Sequence, residues 1–310
     1  MRERMDLNNP FYKQVRLLVQ ILPMVGRQSC FALKGGTAIN LFVRDMPRLS
    51  VDIDLAYLPM AARDEALAEI DHGLKIVAAE VMRCLPGIKV AAQPNPQTGT
   101  LLKLNISSSD AIVKVEVTPV LRGAVYAAEV CTVRPSVEAR FGFAEVPLLS
   151  FNDLYAGKVC ATLDRQHPRD LYDTFLLLDH EGINRELMVA FIVYLMGHNR
   201  PMAELLAPRA KPLAALYASE FQGMAVDEVG VEVLEATLPR LIEAIHANLT
   251  DDDRAFLLAF KEGRADWDYL VLPHIKQLPS VRWKLLNLEK MGKSKRIEAI
   301  GNLEAVLWRG

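Results

Sequence analysis

Two aspartates, Asp52 and Asp54, stand two residues apart in the run Arg48-Leu-Ser-Val-Asp-Ile-Asp-Leu55. On a strand, side chains at i and i+2 emerge on the same face, about 6–7 Å apart. Leu49, Val51, Ile53 and Leu55 then fall on the opposite face, a period-two pattern that predicts a half-exposed strand over 48–55. Carboxylates held that close repel each other. A divalent cation is the natural counter-charge, because Mg²⁺ prefers carboxylate oxygens. The plainer alternative is a solvated polar strand face, and aspartate is a poor strand former. Further on, Lys114-Val-Glu116-Val places a third carboxylate between two valines. A neighbouring strand could bring Glu116 beside the two aspartates. Three carboxylates on adjacent strands suit a one- or two-metal phosphoryl-transfer site, where the ions bridge phosphates and align the attacking oxygen. Glu116 could equally be an exposed charge on an edge strand that shares its face with Lys114.

Other residues could serve the same chemistry. Lys34-Gly35-Gly36-Thr37 sits where a strand turns into a helix. Glycines let a backbone approach a phosphate, and amides at a helix start favour anions, although many ordinary turns contain a Gly-Gly pair. Arg48 and Ser50 share the face of the aspartates; either could touch phosphate, and either could be structural, as an ion pair or a strand cap. Lys158 lies in an apolar helix with Leu154, Val159, Ala161 and Leu163. It could offer a point charge to phosphates, or be a solvated helical lysine. Asp170 and Asp173 share a helix edge at i, i+3; with Arg169 they could orient Lys158 and a nucleotide, or Asp170 could simply favour the start of its helix. Arg165 suits phosphate or RNA. Between 276 and 296, seven bases (Lys276, Arg282, Lys284, Lys290, Lys293, Lys295 and Arg296) face one acid, Glu289, with Trp283 among them. That is the make-up of an RNA-binding edge, or of a solvated terminal helix. The six histidines have no metal-ligand spacing, and no serine stands in a Gly-x-Ser-x-Gly elbow.

Elements must position these groups. The pattern predicts a helix over 11–22, a short strand over 31–34 and a helix from Thr37 to Arg44. It then predicts a helix over 61–84, strands over 87–93, 100–107 and 111–118, and a further strand within 125–133. After Pro147 the chain reads as helices almost to its end. The expected organisation is an α+β N-terminal domain over 1–146, then an all-helical domain over 147–310. Composition agrees. The 310 residues are 51% hydrophobic, enough for a sizeable core, and with a formal charge of only −2 this excludes a disordered chain; near-neutrality also argues against attachment to nucleic acid by bulk charge alone, while leaving room for a local basic groove. Four cysteines without a Cys-x-x-Cys pair suggest reduced thiols in a cytoplasmic protein. The charged opening Met1–Asp6 and the interrupted apolar stretch after it do not read as a signal peptide, and no run of about 18 apolar residues calls for a membrane span.

Taken together, Lys34-Gly-Gly-Thr-Ala-Ile-Asn-Leu-Phe42 and Pro47-Arg-Leu-Ser-Val-Asp-Ile-Asp-Leu55 resemble the AbiEii/AbiGii toxins, minimal nucleotidyltransferases of the DNA polymerase beta superfamily. In the helical half, Tyr155 to Asp173, with Lys158 and Arg169-Asp170-Leu-Tyr-Asp173, is similar to the family's lysine motif followed by Arg-Asp-x-x-Asp. Leu278 to Asn287 is similar to its C-terminal signature. The resemblance implies a nucleotidyltransferase-like mixed sheet with flanking helices that carries the metal site, and a helical lobe after it. It implies the toxin half of a toxin–antitoxin or abortive-infection pair, moving an NMP from an NTP onto RNA, at the 3′ acceptor end of tRNA, and so blocking translation. A protein acceptor, or a non-catalytic nucleotide- or RNA-binding module, are the alternatives. Under the resemblance Asp52, Asp54 and Glu116 hold one or two Mg²⁺ or Mn²⁺ ions, with Glu116 activating the attacking hydroxyl. Lys158, Asp170 and Asp173 complete the catalytic set. Gly35, Gly36, Thr37, Arg48, Ser50, Lys158, Arg165 and Arg169 bind the nucleotide. The implied partners are NTP, tRNA and a cognate antitoxin encoded nearby, with no membrane.

Overall fold

The computed structural model describes residues 10–308; the charged segment Met1–Asp6 lies outside them. Two compact units are present, one running to Ser150 and including Gln222–Glu228, the other made of the remaining chain from Phe151. The first unit contains, in order, α1 (Pro10–Gly26), β1 (Phe31–Lys34), α2 (Gly35–Ala38), β2 (Asp52–Tyr57), α3 (Arg63–Cys84), β3 (Lys89–Pro94), β4 (Leu101–Ser107), β5 (Ile112–Arg122), β6 (Glu129–Thr132), α4 (Pro135–Phe141) and β7 (Glu145–Leu148). The strands form one seven-stranded sheet in the order β3-β4-β5-β2-β1-β7-β6. β2 runs parallel to β5 and β1 parallel to β7, while the other neighbours are antiparallel. The mixed sheet with flanking helices is the fold class expected from the sequence.

Alternation decides which face is buried. Val113, Val115 and Val117 of β5, Ile53 and Leu55 of β2, and Leu104 and Ile106 of β4 are all buried, and α1 and α3 cover this apolar face. The residues between them, Asp52, Asp54, Lys114 and Glu116, emerge on the other face and are less buried. β2 begins at Asp52, not at Arg48 as the alternation suggests. β1 ends opposite Asp54, and residues 47–49 instead meet the returning segment: Leu49 N donates to Met224 O and Val226 N to Pro47 O, both at 2.8 Å. The expected strand within 125–133 shrinks to Glu129–Thr132. α4 and β7 went unpredicted because seven and four residues are too short to show a period.

The second unit comprises α5 (Phe151–Arg165), α6 (Pro168–His180), α7 (Arg185–Gly197), α8 (Met202–Leu206), α9 (Ala214–Glu220), α10 (Val231–Asn248), α11 (Asp251–Glu262), α12 (Pro279–Glu289) and α13 (Lys293–Leu307). α7 is buried on nearly every side, from Leu187 to Gly197, and α5 and α12 pack against it. At its end Gly197 lets Ser280 of α12 approach: a Cβ there would lie 2.9 Å from the serine side chain. Among the described residues no helix is long and apolar enough to cross a membrane.

One helical glycine tests the packing of the first unit. Gly73 lies inside α3, where alanine is ordinarily better by about 1 kcal/mol. A Cβ at this position would meet the Phe31 ring at 2.9 Å. Gly73→Ala is therefore expected to destabilise the protein by about 1–3 kcal/mol in urea unfolding. A gain of about 1 kcal/mol, as helix propensity alone dictates, would refute this packing.

Candidate active site

The pairing of β2 with β5 builds a row of charge. In register, Asp54 sits beside Glu116 and Asp52 beside Lys114. On the far side of β2, Lys34 of β1 is the partner of Asp54. On the far side of β5, Lys103 of β4 is the partner of Glu116. Across four strands the row reads Lys34, Asp54, Glu116, Lys103. The Lys114 ammonium lies 3.2 Å from Glu116 Oε2, and Lys34 Nζ donates to Thr118 Oγ1 at 3.1 Å. Burial raises the pKa of Asp54 above the ordinary aspartate value, and Asp52 and Glu116 raise it further, against the pull of Lys34 and Lys114. Asp54 is thus a carboxylate whose surroundings leave its charge under-compensated.

A glycine turn lies against this row. Gly35 has φ +72°, the left-handed region, and a Cβ there would stand 2.9 Å from Asp54 Oδ2. At Gly36 a Cβ would stand 2.7 Å from Arg48 Nη2 and 3.0 Å from Ser50 Oγ. Thr37 Oγ1 lies 2.9 Å from Ser50 Oγ and also donates to the carbonyl of Asp52. Thr37, Arg48 and Ser50 are all buried, and Arg48 Nη1 donates to Leu49 O at 2.9 Å. These three side chains therefore hold the turn from beneath. After α2 the backbone widens into a π-helical turn, Ile39–Val43, and Asn40 Nδ2 donates back to Gly36 O at 2.9 Å.

The second unit has its own charged cluster. Lys158, 7% exposed, reaches from α5 to two aspartates of α6, at 2.8 Å from Asp170 Oδ1 and 3.0 Å from Asp173 Oδ2. Arg165 forks onto the same Asp170, with Nε 2.5 Å from Oδ2 and Nη2 3.1 Å from Oδ1. Burial alone would raise the pKa of Asp170, yet Lys158 and Arg165 hold it below the ordinary aspartate range. Beneath them the Thr162 and Thr174 hydroxyls lie 2.8 Å apart. Asp170 stands in the first turn of α6, and His167 caps that helix, accepting from Arg169 N through Nδ1 at 3.2 Å. Arg169 instead turns to Glu220, at 3.6 Å.

A family model for the nucleotidyl transferase AbiEii toxins of type IV toxin–antitoxin systems matches residues 16–286. The chain belongs to this family. In fold it is similar to MenT4, a nucleotidyltransferase toxin from Mycobacterium tuberculosis H37Rv, with a TM-score of 0.60 and 16% identity over 90% of this chain and 93% of that one. No curated protein sequence matches it significantly.

Within this AbiEii chain the basic stretch divides. Arg282, Trp283, Lys290, Lys293 and Lys295 are exposed, with Trp283 at 45%. Lys284 turns inward to the carbonyl of His198, and burial together with the charge of Lys261 lowers its pKa to about 8. Arg296 donates to the carbonyl of Leu288. The cysteines are free, and burial pushes the Cys30 thiol up to about 11, which makes it a poor nucleophile. Sequence reasoning gave no role to Lys34, Lys103 or Lys114. Only the pairing register reveals them, although Lys114 and Glu116 already stood at i and i+2.

Two predictions follow from the charges. Because the folded pKa of Asp54 is raised, its ionisation destabilises the native state, and that cost grows as pH rises from the ordinary aspartate value through the folded one. In metal-free protein Asp54→Asn should raise the melting temperature at neutral pH, and the difference should vanish in acid, where both side chains are neutral. A lower melting temperature at neutral pH would contradict the under-compensated charge. In the other unit, Lys158→Met strips the ammonium from two buried aspartates and should cost about 3–5 kcal/mol in denaturant unfolding; a change below about 1 kcal/mol would show that the pair is not coupled as described.

Proposed function

We propose that this toxin transfers an NMP from an NTP to RNA, at the 3′ acceptor end of tRNA, with release of pyrophosphate and a divalent metal held by Asp52 and Asp54. The observation that carries the reading is Asp54: half-buried, beside Asp52 and its register partner Glu116, and under-compensated. The donor set is all oxygen, which fits Mg²⁺ or Mn²⁺. Among the described residues no group of three or more His, Cys, Asp or Glu could hold a metal ion, so Glu116, expected from the resemblance as a third ligand, is not counted as one. Mg²⁺ is commonly held by one or two carboxylates together with substrate phosphates. When bound, the ion would neutralise phosphate charge and align the transferring group.

The chain's own residues supply the rest. Asp52 and Asp54 would hold the cation on their shared face. Gly35 and Gly36 admit Asp54, Arg48 and Ser50 against the turn, whose backbone amides are offered to a phosphate, while Thr37, Arg48 and Ser50 keep the turn in shape. Glu116 takes the proton of the attacking hydroxyl on its carboxylate. In the helical unit the set that the family resemblance implies is Lys158 on α5, held by Asp170 and Asp173 of α6, with Arg165 on the same Asp170 and Arg169 near the start of α6. Arg282, Trp283, Lys290, Lys293 and Lys295 support an RNA-binding edge of phosphate contacts and stacking. Such a toxin works in the cytoplasm and is restrained by a cognate antitoxin.

The test incubates the protein with each α-labelled NTP, Mg²⁺ or Mn²⁺, total tRNA and cell extract. Label is expected at RNA 3′ ends, and Asp54→Asn should lower its rate on the order of 10²–10³-fold, as losing one positioned transition-state contact does. Label in protein would overturn the RNA acceptor. Saturable NTP binding without transfer to any acceptor would overturn catalysis.

A further inference from the structure

Lys114 has no part in the reading above, yet it is the base built into the acidic row. Its Cα is the register partner of Asp52, and its ammonium is 3.2 Å from Glu116 Oε2. The lysine projects from the same strand and face as Glu116, so it cannot leave the neighbourhood; it can only change partner. Burial disfavours its charge, but Asp52, Glu116 and Asp54 together hold its pKa above the ordinary lysine value. Lys103 makes a contrast. It is the register partner of Glu116 on the other side, and among the described residues no ion pair joins it to the row.

We propose that Lys114 is a positioning residue that competes with the divalent cation, holding Glu116 and screening Asp52 until the cation takes its place. This rests on the metal reading of Asp52 and Asp54. A lysine and a metal ion answer the same electrostatic need, so each lowers the row's affinity for the other. The fixed lysine offsets part of the repulsion among the three acids in the empty protein. It also weakens binding of the bare ion, so that tight binding needs the extra negative charge of a nucleotide. The row is then biased toward metal that arrives with triphosphate.

The experiment measures Mn²⁺ binding directly, by electron paramagnetic resonance of free Mn²⁺, on the full-length protein without nucleotide. Lys114→Met should bind Mn²⁺ about tenfold more tightly than wild type, the size of effect that one neighbouring charge has on a carboxylate's proton affinity. Lys114→Arg keeps the charge and should bind like wild type, and Lys103→Met should be unchanged. If Lys114→Met fails to fold, Lys114→Gln answers the same question. Wild-type binding with equal or weaker binding by the neutral variant overturns the competition while leaving the metal reading intact. If no protein in the series binds Mn²⁺, with or without a non-hydrolysable NTP, both fall. An equal gain from Lys103→Met would assign the effect to overall charge and also overturn the role of Lys114.

Discussion

The parallel pairing of β2 with β5 is the interaction on which the first unit's chemistry depends. It joins strands far apart in the chain and sets Asp54 against Glu116 and Asp52 against Lys114. A slip of one residue would send every carboxylate of one strand to the apolar face. The valines of β5 and the isoleucine and leucine of β2 forbid that slip, because they would then leave the core. The apolar half of each strand therefore does more than stabilise the sheet. It indexes the polar half, and the site's geometry is a by-product of core packing.

The two units handle buried charge in opposite ways. In the helical unit Lys158 and Arg165 meet Asp170 and Asp173, two cations against two anions, and Asp170 is held ionised. Such a network is costly to desolvate but is satisfied once formed. In the sheet unit three acids meet lysines that do not fully balance them around Asp54, whose charge is disfavoured. A fold selected for stability alone would replace that aspartate with a neutral residue. Retaining it makes sense when the missing positive charge comes with a ligand.

The glycine turn shows how little freedom surrounds this row. Gly35 needs both its left-handed backbone and the absence of a side chain against Asp54, and Gly36 leaves space that the Arg48 guanidinium and Ser50 hydroxyl fill. Arg48, which shares a face with the aspartates if the strand is drawn from 48 to 55, is spent inside the protein holding this turn. Its burial follows from the segment Gln222–Glu228, which bonds residues 47 and 49 and draws them off the strand path.

Much was legible beforehand. Period-two alternation placed Asp52 and Asp54 on one face, because strand geometry is local. The helical periods of α1, α3 and most of the second unit were equally local, and residue types alone named a carboxylate site, a glycine turn and a lysine with two aspartates. The short elements α4 and β7 left no period to read. Tertiary structure alone decided which strand lies beside β2, that Lys34 and Lys114 stand within the acidic row, that Thr37, Arg48 and Ser50 turn inward, and that Lys158 is clasped by both aspartates. These are facts about neighbours across the sheet or between helices. Pairing partners are chosen by the packing of the whole unit, so no spacing within a single segment can encode them.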